Sequence, residues 1–181
     1  DAGLVSPDLP VSATSISGYS GGGKKMIEQY AAAGGVEPAL TSPRPYGLSL
    51  AHKHVPEMMA HTGLRAKPIF LPIVSNFYKG LAVTVPLHLS QLAAGTSVEQ
   101  IQQVFERRYA GERFIRVMPL RDASTFEHGG YFDVQGCNDT NRVDLFVFAS
   151  ERHALLVARL DNLGKGASGA AVQNLRLMLG L

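Results

Sequence analysis

The alternation of apolar and polar positions divides this chain into short predicted strands with few helices between them. Runs rich in β-branched and aromatic residues, bounded by glycine, proline or polar residues, are typical of strands. Such runs occur at 11–17, 68–74, 81–87, 114–117, 143–148 and 154–160. Because strands outnumber helices, the pattern predicts an α+β fold, with a largely antiparallel sheet that carries its helices on one face.

The runs at 68–74 and 81–87 follow each other closely along the chain. A parallel pair of strands needs a crossover connection of roughly a dozen or more residues, whereas an antiparallel pair does not. We therefore expect these two strands to be antiparallel neighbours in the sheet.

The strongest helix signal lies just before residue 98. Ser97 with Gln100, or Thr96 with Glu99, can form a capping box ahead of an amphipathic run. Either pair predicts that the clearest helix of the chain starts at this point.

Weaker signals predict three further helices. One covers 24–33 and ends at the glycine pair that follows, a common helix terminator. A short helix opens at Pro56, since proline is tolerated in a first turn. A final helix runs from about Ala167, and the segments 37–45 and 129–140 are predicted loops.

The composition fits one globular core and argues against two classes of partner. The chain has 181 residues, of which 45% are hydrophobic and 18% charged. A formal net charge of +2 is too small to indicate nucleic-acid binding. The longest apolar stretch is too interrupted to predict a membrane span. The single cysteine, Cys137, fits a reducing compartment such as the cytoplasm.

A glycine-rich turn at 18–25 nearly matches the nucleotide-binding P-loop. The GxxxxGK pattern is complete, but Lys25 stands where a magnesium-binding serine or threonine is needed. A strand, a glycine turn and a helix start can still bind a phosphate or carboxylate through backbone N–H groups. The alternative is a flexible connection with solvated lysines, and the two remain equally open here.

A second group of polar residues is His52-Lys53-His54, followed by Glu57. Histidine is the side chain best suited to proton transfer near neutral pH. In an extended segment, His52 and His54 would point to the same face. A metal site would need a third or fourth ligand, which the spacing does not supply, so we expect no metal. The alternative is that both histidines are structural.

Two other motifs have simpler interpretations. Cys137 lies in a polar loop without a visible group to lower its pKa, so we expect an unreactive thiol. Gly164-x-Gly166-x-x-Gly169 has the spacing of the dinucleotide fingerprint. That fingerprint precedes an acidic residue by about 20 positions, and the sequence shown ends before such a residue could occur. We expect this turn to start the last helix of the fold.

Three phrases together resemble the N-acetyl-gamma-glutamyl-phosphate reductase family. They are SGYSGGGKK at 17–25, HKHVPEM at 52–58 and LDNLGKGASGAAVQNL at 160–175, in this order. The stretch 68–87 is also similar to the family's strand pair, and aspartate-semialdehyde dehydrogenase carries a similar C-terminal turn. The resemblance covers nearly the whole chain.

The resemblance implies part of an NADPH-dependent reductase. This enzyme converts N-acetyl-gamma-glutamyl phosphate to the semialdehyde in arginine biosynthesis, through a cysteine thioester. In the family, an NADP domain and an Asn-Pro-Gly-Cys nucleophile motif precede a catalytic and oligomerisation domain, which is similar to the second domain of glyceraldehyde-3-phosphate dehydrogenase.

Only this later portion of the family is resembled here. Residues 1–160 would be the catalytic and oligomerisation domain, and 161–181 would pack on the NADP-binding domain. Residues 1–5 resemble the end of the helix that follows the nucleophile. We therefore expect the chain alone to be inactive and to form homo-oligomers.

The resemblance also assigns residues to roles. It implies His52 as the catalytic acid or base, with His54 as the alternative. It implies substrate binding by Ser20, Gly21 and Lys24, and contact with the nicotinamide end of NADP by Asn162, Gly164, Lys165 and Gly166. The competing hypothesis is a non-catalytic substrate-binding or assembly module.

Overall fold

The computed structural model describes residues 2–32, 37–124, 126–127 and 129–181. These residues form one seven-stranded sheet, a separate two-stranded ribbon and five α-helices. The strands are β1 (Ser12–Gly18), β2 (Arg44–Pro45), β3 (Ile69–Ser75), β4 (Leu81–His88), β5 (Ile115–Val117), β6 (Phe126–Glu127), β7 (Tyr131–Phe132), β8 (Val143–Ala149) and β9 (His153–Leu160). The helices are α1 (Gly23–Ala32), α2 (Pro38–Thr41), α3 (His54–Thr62), α4 (Val98–Arg108) and α5 (Gly169–Met178).

The sheet is mixed, and its strand order corrects one prediction. The order is β2-β3-β1-β4-β9-β8-β5, so β1 lies between β3 and β4. The strands predicted at 68–74 and 81–87 are therefore not neighbours. β1 runs parallel to β3 and antiparallel to β4. The parallel pairing of β1 with β3 is possible because α1, α2 and α3 provide the long crossover that a parallel pair requires. Most of the other pairings are antiparallel, as expected.

The helices α1 to α4 pack on one face of the sheet, which confirms the prediction that the helices lie on one face. Successive residues of a strand point to opposite faces, and Ala13 and Phe70 are paired in the β1–β3 register. Both pack against Val55 of α3. On the same face, Val147 packs against Ile101 of α4, and α1 and α2 cover the far end of β3.

The opposite face of the sheet, which we call the outer face, is only partly covered. Over β8 and β9, Phe146 and Val157 are buried beneath side chains that include Phe132 of β7. Over β3, by contrast, Ile69 has 55% of its surface exposed, and its neighbours Leu71 and Ile73 on this face are only half-buried. The covered and uncovered halves of this face differ because the segment after β5 folds back over β8 and β9 alone.

Helix boundaries follow local capping where such a cap exists. Ser97 caps α4 with a capping box: its hydroxyl oxygen accepts the Gln100 backbone N–H, and the Gln100 side-chain oxygen accepts the Ser97 backbone N–H. The alternative cap at Thr96 does not form, since its hydroxyl donates to the Ala93 carbonyl. α3 starts at His54, two residues before the predicted Pro56.

Two other predicted boundaries change. The final helix was expected from about Ala167, but a π-helical turn at Gly164–Ser168 delays α5 to Gly169. The loop predicted over 37–45 contains α2 and β2. The predicted end of the first helix, at Gly34-Gly35, lies outside the described residues. Of the helices in the described part of the chain, none is long and apolar enough to cross a membrane.

A buried carboxylate with three arginines stabilises the covered half of the outer face. Asp144 of β8 is fully buried, and Arg159 of β9 donates to it at 2.9 Å. Arg142 and Arg116 donate to the same carboxylate at 2.7 and 3.2 Å. Burial alone would raise the pKa of Asp144, but the hydrogen bonds from these arginines outweigh it and lower the pKa to about 2.

This lowered pKa predicts an acid-dependent loss of stability. The pKa of Asp144 falls from 3.8 to about 2 on folding, so its contribution of about 2 kcal/mol is complete above pH 4 and is lost as the pH falls through 2. Replacing Asp144 with Asn should remove this pH dependence. It should also lower the free energy of unfolding by about 3–5 kcal/mol at pH 7, because the three arginines keep their charges.

The measurement is the free energy of unfolding in urea between pH 2 and 7. The control is Glu112→Gln, at an exposed position, which should keep the wild-type pH dependence. An Asp144→Asn protein whose free energy of unfolding falls at low pH as it does in wild type would contradict the assignment.

Candidate active site

A cleft of about 810 Å³ lies on the helical face of the sheet, where β1 ends. The residues that form its walls come from β1 and the turn after it, from β2, β3 and β4, from the start of α3, and from the turn before α5. They are Ser15, Ser17, Gly18, Gly21, Gly22, Met26, Arg44, Pro45, Tyr46, His52, Lys53, His54, Phe70, Val74, Leu81, Val83, Asn162 and Gly166. Three segments that were predicted separately from the sequence therefore meet in one cavity.

The glycine-rich turn after β1 is held by the backbone of the loop before β4. The N–H groups of residues 18–20 donate to carbonyls within 77–80 at 2.9–3.0 Å. These three N–H groups are therefore committed, and they do not form the phosphate cradle that the P-loop pattern suggested. Gly21 and Gly22 lie on the cleft wall instead.

Asn162 connects this turn to the C-terminal turn. Its Oδ1 accepts the Gly80 N–H at 2.8 Å, and its Nδ2 donates to Ser20 Oγ at 2.9 Å. Ser20 is buried, with 3% of its surface exposed. Ser20, Gly21 and Asn162, which the sequence assigned to substrate and cofactor, are therefore adjacent, and the Ser20 hydroxyl is bonded within the protein.

Both histidines lie on the cleft wall, but not in the predicted extended segment. His54 is the first residue of α3, and His52 precedes the helix in a turn. The Nδ1 atom of His52 accepts the His54 backbone N–H at 3.3 Å. Nε2 of His52 is thereby left as the ring nitrogen without a hydrogen-bond partner among the described residues.

Aromatic contacts hold the ring of His52 in place. Its centroid lies 5.2 Å from that of Phe70, 5.6 Å from that of Tyr46 and 4.8 Å from that of His54. Burial, and then the nearby charges of His54 and Lys53, lower the pKa of His52 below its usual value. A lowered pKa keeps His52 neutral at physiological pH, which suits a group that accepts a proton. Burial also raises the pKa of Tyr46, so its phenol stays protonated.

The charges on the cleft wall have a single sign. Arg44 and Lys53 join the two histidines there, and no aspartate or glutamate is among the residues that form the wall. A cleft with cationic and neutral polar groups only will attract an anionic ligand. Arg44 and Tyr46 were not identified from the sequence, because proline and turn residues around them gave no strand signal.

Some residues that the sequence assigned to this site lie elsewhere. The Lys24 side chain is 89% exposed and forms an ion pair with Glu28 at 3.8 Å, outside the cleft wall. Lys165 donates to Gln173 at 2.6 Å. A Cβ on Gly164 would lie 2.7 Å from the Thr140 carbonyl oxygen, so this glycine is required by packing. Gly166 alone of the C-terminal glycines forms part of the wall.

Cys137 has no access to the cleft. Its surface is fully buried, and burial, followed by the charge of Asp144, raises the pKa of its thiol. A buried thiol with a raised pKa is a poor nucleophile. Within the described ranges, no three histidine, cysteine or acidic side chains are grouped closely enough to hold a metal ion.

The His52 environment predicts a measurable titration. In the isolated chain, the pKa of His52 should lie below 6.5, because burial and neighbouring positive charge disfavour its charged form. Lys53→Gln and His54→Asn should each raise this pKa, since each removes positive charge. Histidine NMR titration measures it, with Arg107→Gln, on the exposed side of α4, as the control. A wild-type pKa at or above 6.5 would contradict the assignment.

Similarity to known proteins bears on this cleft. Residues 1–162 match the family model of the semialdehyde dehydrogenase dimerisation domain. An N-acetyl-gamma-glutamyl-phosphate reductase 2 from Nostoc sp. is 46% identical over 184 residues, which cover 99% of this chain and 57% of the relative. The N-acetyl-gamma-glutamyl-phosphate reductase of Burkholderia cenocepacia is 45% identical, and the match covers 99% of this chain and 56% of the relative. The chain thus spans little more than half the length of the curated relatives it matches.

Solved structures agree on the fold. The aspartate semialdehyde dehydrogenase of Francisella tularensis has a TM-score of 0.66 at 12% identity, covering 98% of this chain and 60% of the other. Aspartate semialdehyde dehydrogenase II from Vibrio cholerae, complexed with ASA, has a TM-score of 0.64 at 17% identity. The match covers 94% of this chain and 54% of the other. The α+β prediction is confirmed, and the match over residues 1–162 establishes that this chain belongs to the family of semialdehyde dehydrogenase dimerisation domains.

Proposed function

We propose that this chain is the catalytic and oligomerisation part of an NADPH-dependent reductase in arginine biosynthesis. The reaction converts N-acetyl-gamma-glutamyl phosphate to N-acetylglutamate semialdehyde. The observation that carries the proposal is the cleft itself, which combines a neutral, positioned His52 with a wall that has cations and no carboxylates. The names of the relatives that are 45–46% identical support the choice of substrate.

The chemistry proceeds in two stages. A thiolate attacks the acyl carbon and displaces inorganic phosphate, which leaves a thioester. Reduction of the thioester then releases the semialdehyde and the free thiol. Each stage needs a proton acceptor or donor beside the reacting carbon. We assign this role to Nε2 of His52, with His54 as the alternative, because the ring of His52 is the more enclosed of the two. Burial also lowers the pKa of His52.

The thiolate is not Cys137 in this proposal. That thiol is buried and has a raised pKa, and it lies beside Asp144 and its arginines. We therefore expect the nucleophile in another part of the complete enzyme, and we expect the 181-residue chain alone to be inactive.

We propose that the turn after β1 binds the substrate. Gly21 and Gly22 let a ligand approach the backbone closely, and Ser20 holds the turn against Asn162. The role of Lys24 as a phosphate ligand stays a prediction. Its side chain would have to turn from Glu28 toward the cleft to serve this role.

Family membership implies a nicotinamide cofactor, and we propose that it is NADP. The cofactor supplies a hydride when it is bound. Asn162 and Gly166 lie on the cleft wall, so we assign these two residues to contact with the nicotinamide end. Gly164 and Lys165 would act by shaping the turn, since their contacts are within the protein.

We also propose two assembly surfaces. The matched domain is a dimerisation domain, and the uncovered apolar part of the outer face, around Ile69, suits a second copy of the chain. Helix α5 has no buried residue, and its Leu177 and Met178 are 68% and 83% exposed. We assign 1–160 to the catalytic and oligomerisation domain. Residues 161–181 would then pack on the cofactor domain of the complete, cytoplasmic enzyme.

The proposed activity is tested in a complete reductase that contains this domain. The enzyme should oxidise NADPH in the presence of N-acetyl-gamma-glutamyl phosphate, and His52→Asn should lower kcat by about 10²–10⁴-fold. His54→Asn is the matched control and should have the smaller effect. The chain alone is the negative control.

Each other outcome changes the proposal in a defined way. A larger loss in His54→Asn would move the acid–base role to that residue. Full activity in both variants would make the two histidines structural. A complete enzyme that binds the acyl phosphate but never oxidises NADPH would favour the non-catalytic binding or assembly module.

The assembly surfaces predict the oligomeric state of the isolated chain. At micromolar concentration the chain should sediment as a dimer or larger. Ile69→Lys should shift it toward monomer, because it places a charge on the apolar outer face. Met178→Lys, on α5, should leave the dimer intact and reduce aggregation. A wild-type chain that is a clean monomer would contradict both surfaces.

A further inference from the structure

The short strand β2 directs one arginine into the cleft. Arg44 is paired with Val74 in the antiparallel β2–β3 register. Paired residues point to the same face of a sheet, and Val74 lies on the helical face, in the cluster with Tyr30 and Leu40. Both Arg44 and Val74 are part of the cleft wall.

The guanidinium of Arg44 is oriented by aromatic rings. Its Nη2 donates to Tyr30 Oη at 2.9 Å, and its central carbon lies 5.2 Å from the centroid of the same ring. Tyr30 is itself stacked on Tyr19, with 4.1 Å between centroids. The arginine is therefore held in one orientation before any ligand binds, and this lowers the entropic cost of binding.

Most of the hydrogen-bonding capacity of Arg44 is unused. A guanidinium has five N–H donors, and the only side-chain hydrogen bond that Arg44 makes among the described residues is the one to Tyr30. Its Nε is buried without a partner in that part of the chain. No described carboxylate forms an ion pair with it, whereas the arginines around Asp144 are all paired.

We infer that Arg44 binds an oxyanion of the substrate, and this inference rests on the proposed function. A planar guanidinium binds a carboxylate or a phosphate through two parallel hydrogen bonds, and neither lysine nor histidine can do this. N-acetyl-gamma-glutamyl phosphate carries both kinds of anion. Lys24, the cation that the sequence suggested, points away from the cleft, so Arg44 is the better placed cation for this role.

The reverse reaction separates the two anions, because it uses the semialdehyde and inorganic phosphate as separate substrates. In the complete enzyme, Arg44→Gln should raise one Michaelis constant by roughly 10- to 100-fold, the usual effect of losing hydrogen bonds to a charged group. A rise in the KM for phosphate identifies the phosphoryl group as the partner. A rise in the KM for the semialdehyde, which keeps its carboxylate, identifies the carboxylate.

Matched variants separate binding from structural effects. Arg44→Lys keeps the charge without the planar fork and should raise the same KM by a smaller factor. Tyr30→Phe keeps the stacked ring, removes the hydroxyl that orients Arg44 and should have an intermediate effect. Arg107→Gln, the same substitution on the exposed side of α4, should change neither KM. Thermal unfolding of each variant shows whether it is folded.

Failure of the inference and failure of the proposed function give different results. A wild-type enzyme that does not interconvert these compounds would reject the proposed function. An active wild type, together with a folded Arg44→Gln enzyme whose two KM values are unchanged, would overturn the role of Arg44 alone. If Arg44→Gln does not fold, unchanged KM values in Arg44→Lys would overturn it.

Discussion

The cleft depends on the close approach of the turn after β1 to the loop before β4. A Cβ atom on Gly18 would lie 2.5 Å from the Tyr78 carbonyl oxygen, so only glycine allows the two backbones to come together. The resulting hydrogen bonds, and the bridge that Asn162 makes to Ser20 and Gly80, join three distant parts of the chain. Without this contact, the glycine turn, the histidine segment and the C-terminal turn would not share a cavity.

The distribution of carboxylates supports the same cavity. Asp144 is bound to arginines on the outer face of the sheet. Asp161 is also buried, and it accepts the backbone N–H groups of Asp139, Leu163 and Gly164. This second carboxylate shapes the turn that presents Asn162. Both carboxylates stabilise the fold away from the cleft wall, so the cations on that wall remain available to an anionic ligand.

Much of the fold was predictable from local patterns, whereas the strand order was not. The capping box at Ser97 is a local arrangement, and α4 starts where it predicts. The predicted strands lie within one or two residues of the observed ones, because alternation of apolar residues reports burial of one face. The pairing of β3 with β4 was wrong because β1, more than fifty residues away in sequence, is inserted between them. Closeness along the chain does not detect such an insertion.

The sequence by itself determined which chemical groups are present and which turns can form. The resemblance predicted catalytic, substrate and cofactor roles for His52, Ser20, Gly21 and Asn162, and these roles stay predictions. In the structure, His52, Gly21 and Asn162 lie on one cleft wall, and Ser20 is hydrogen-bonded to Asn162. Only the tertiary structure decided that Arg44 points into the cleft and Lys24 away from it. The physical reason is that the direction of a side chain depends on strand register and helix packing, and both are set by contacts between residues far apart in the chain.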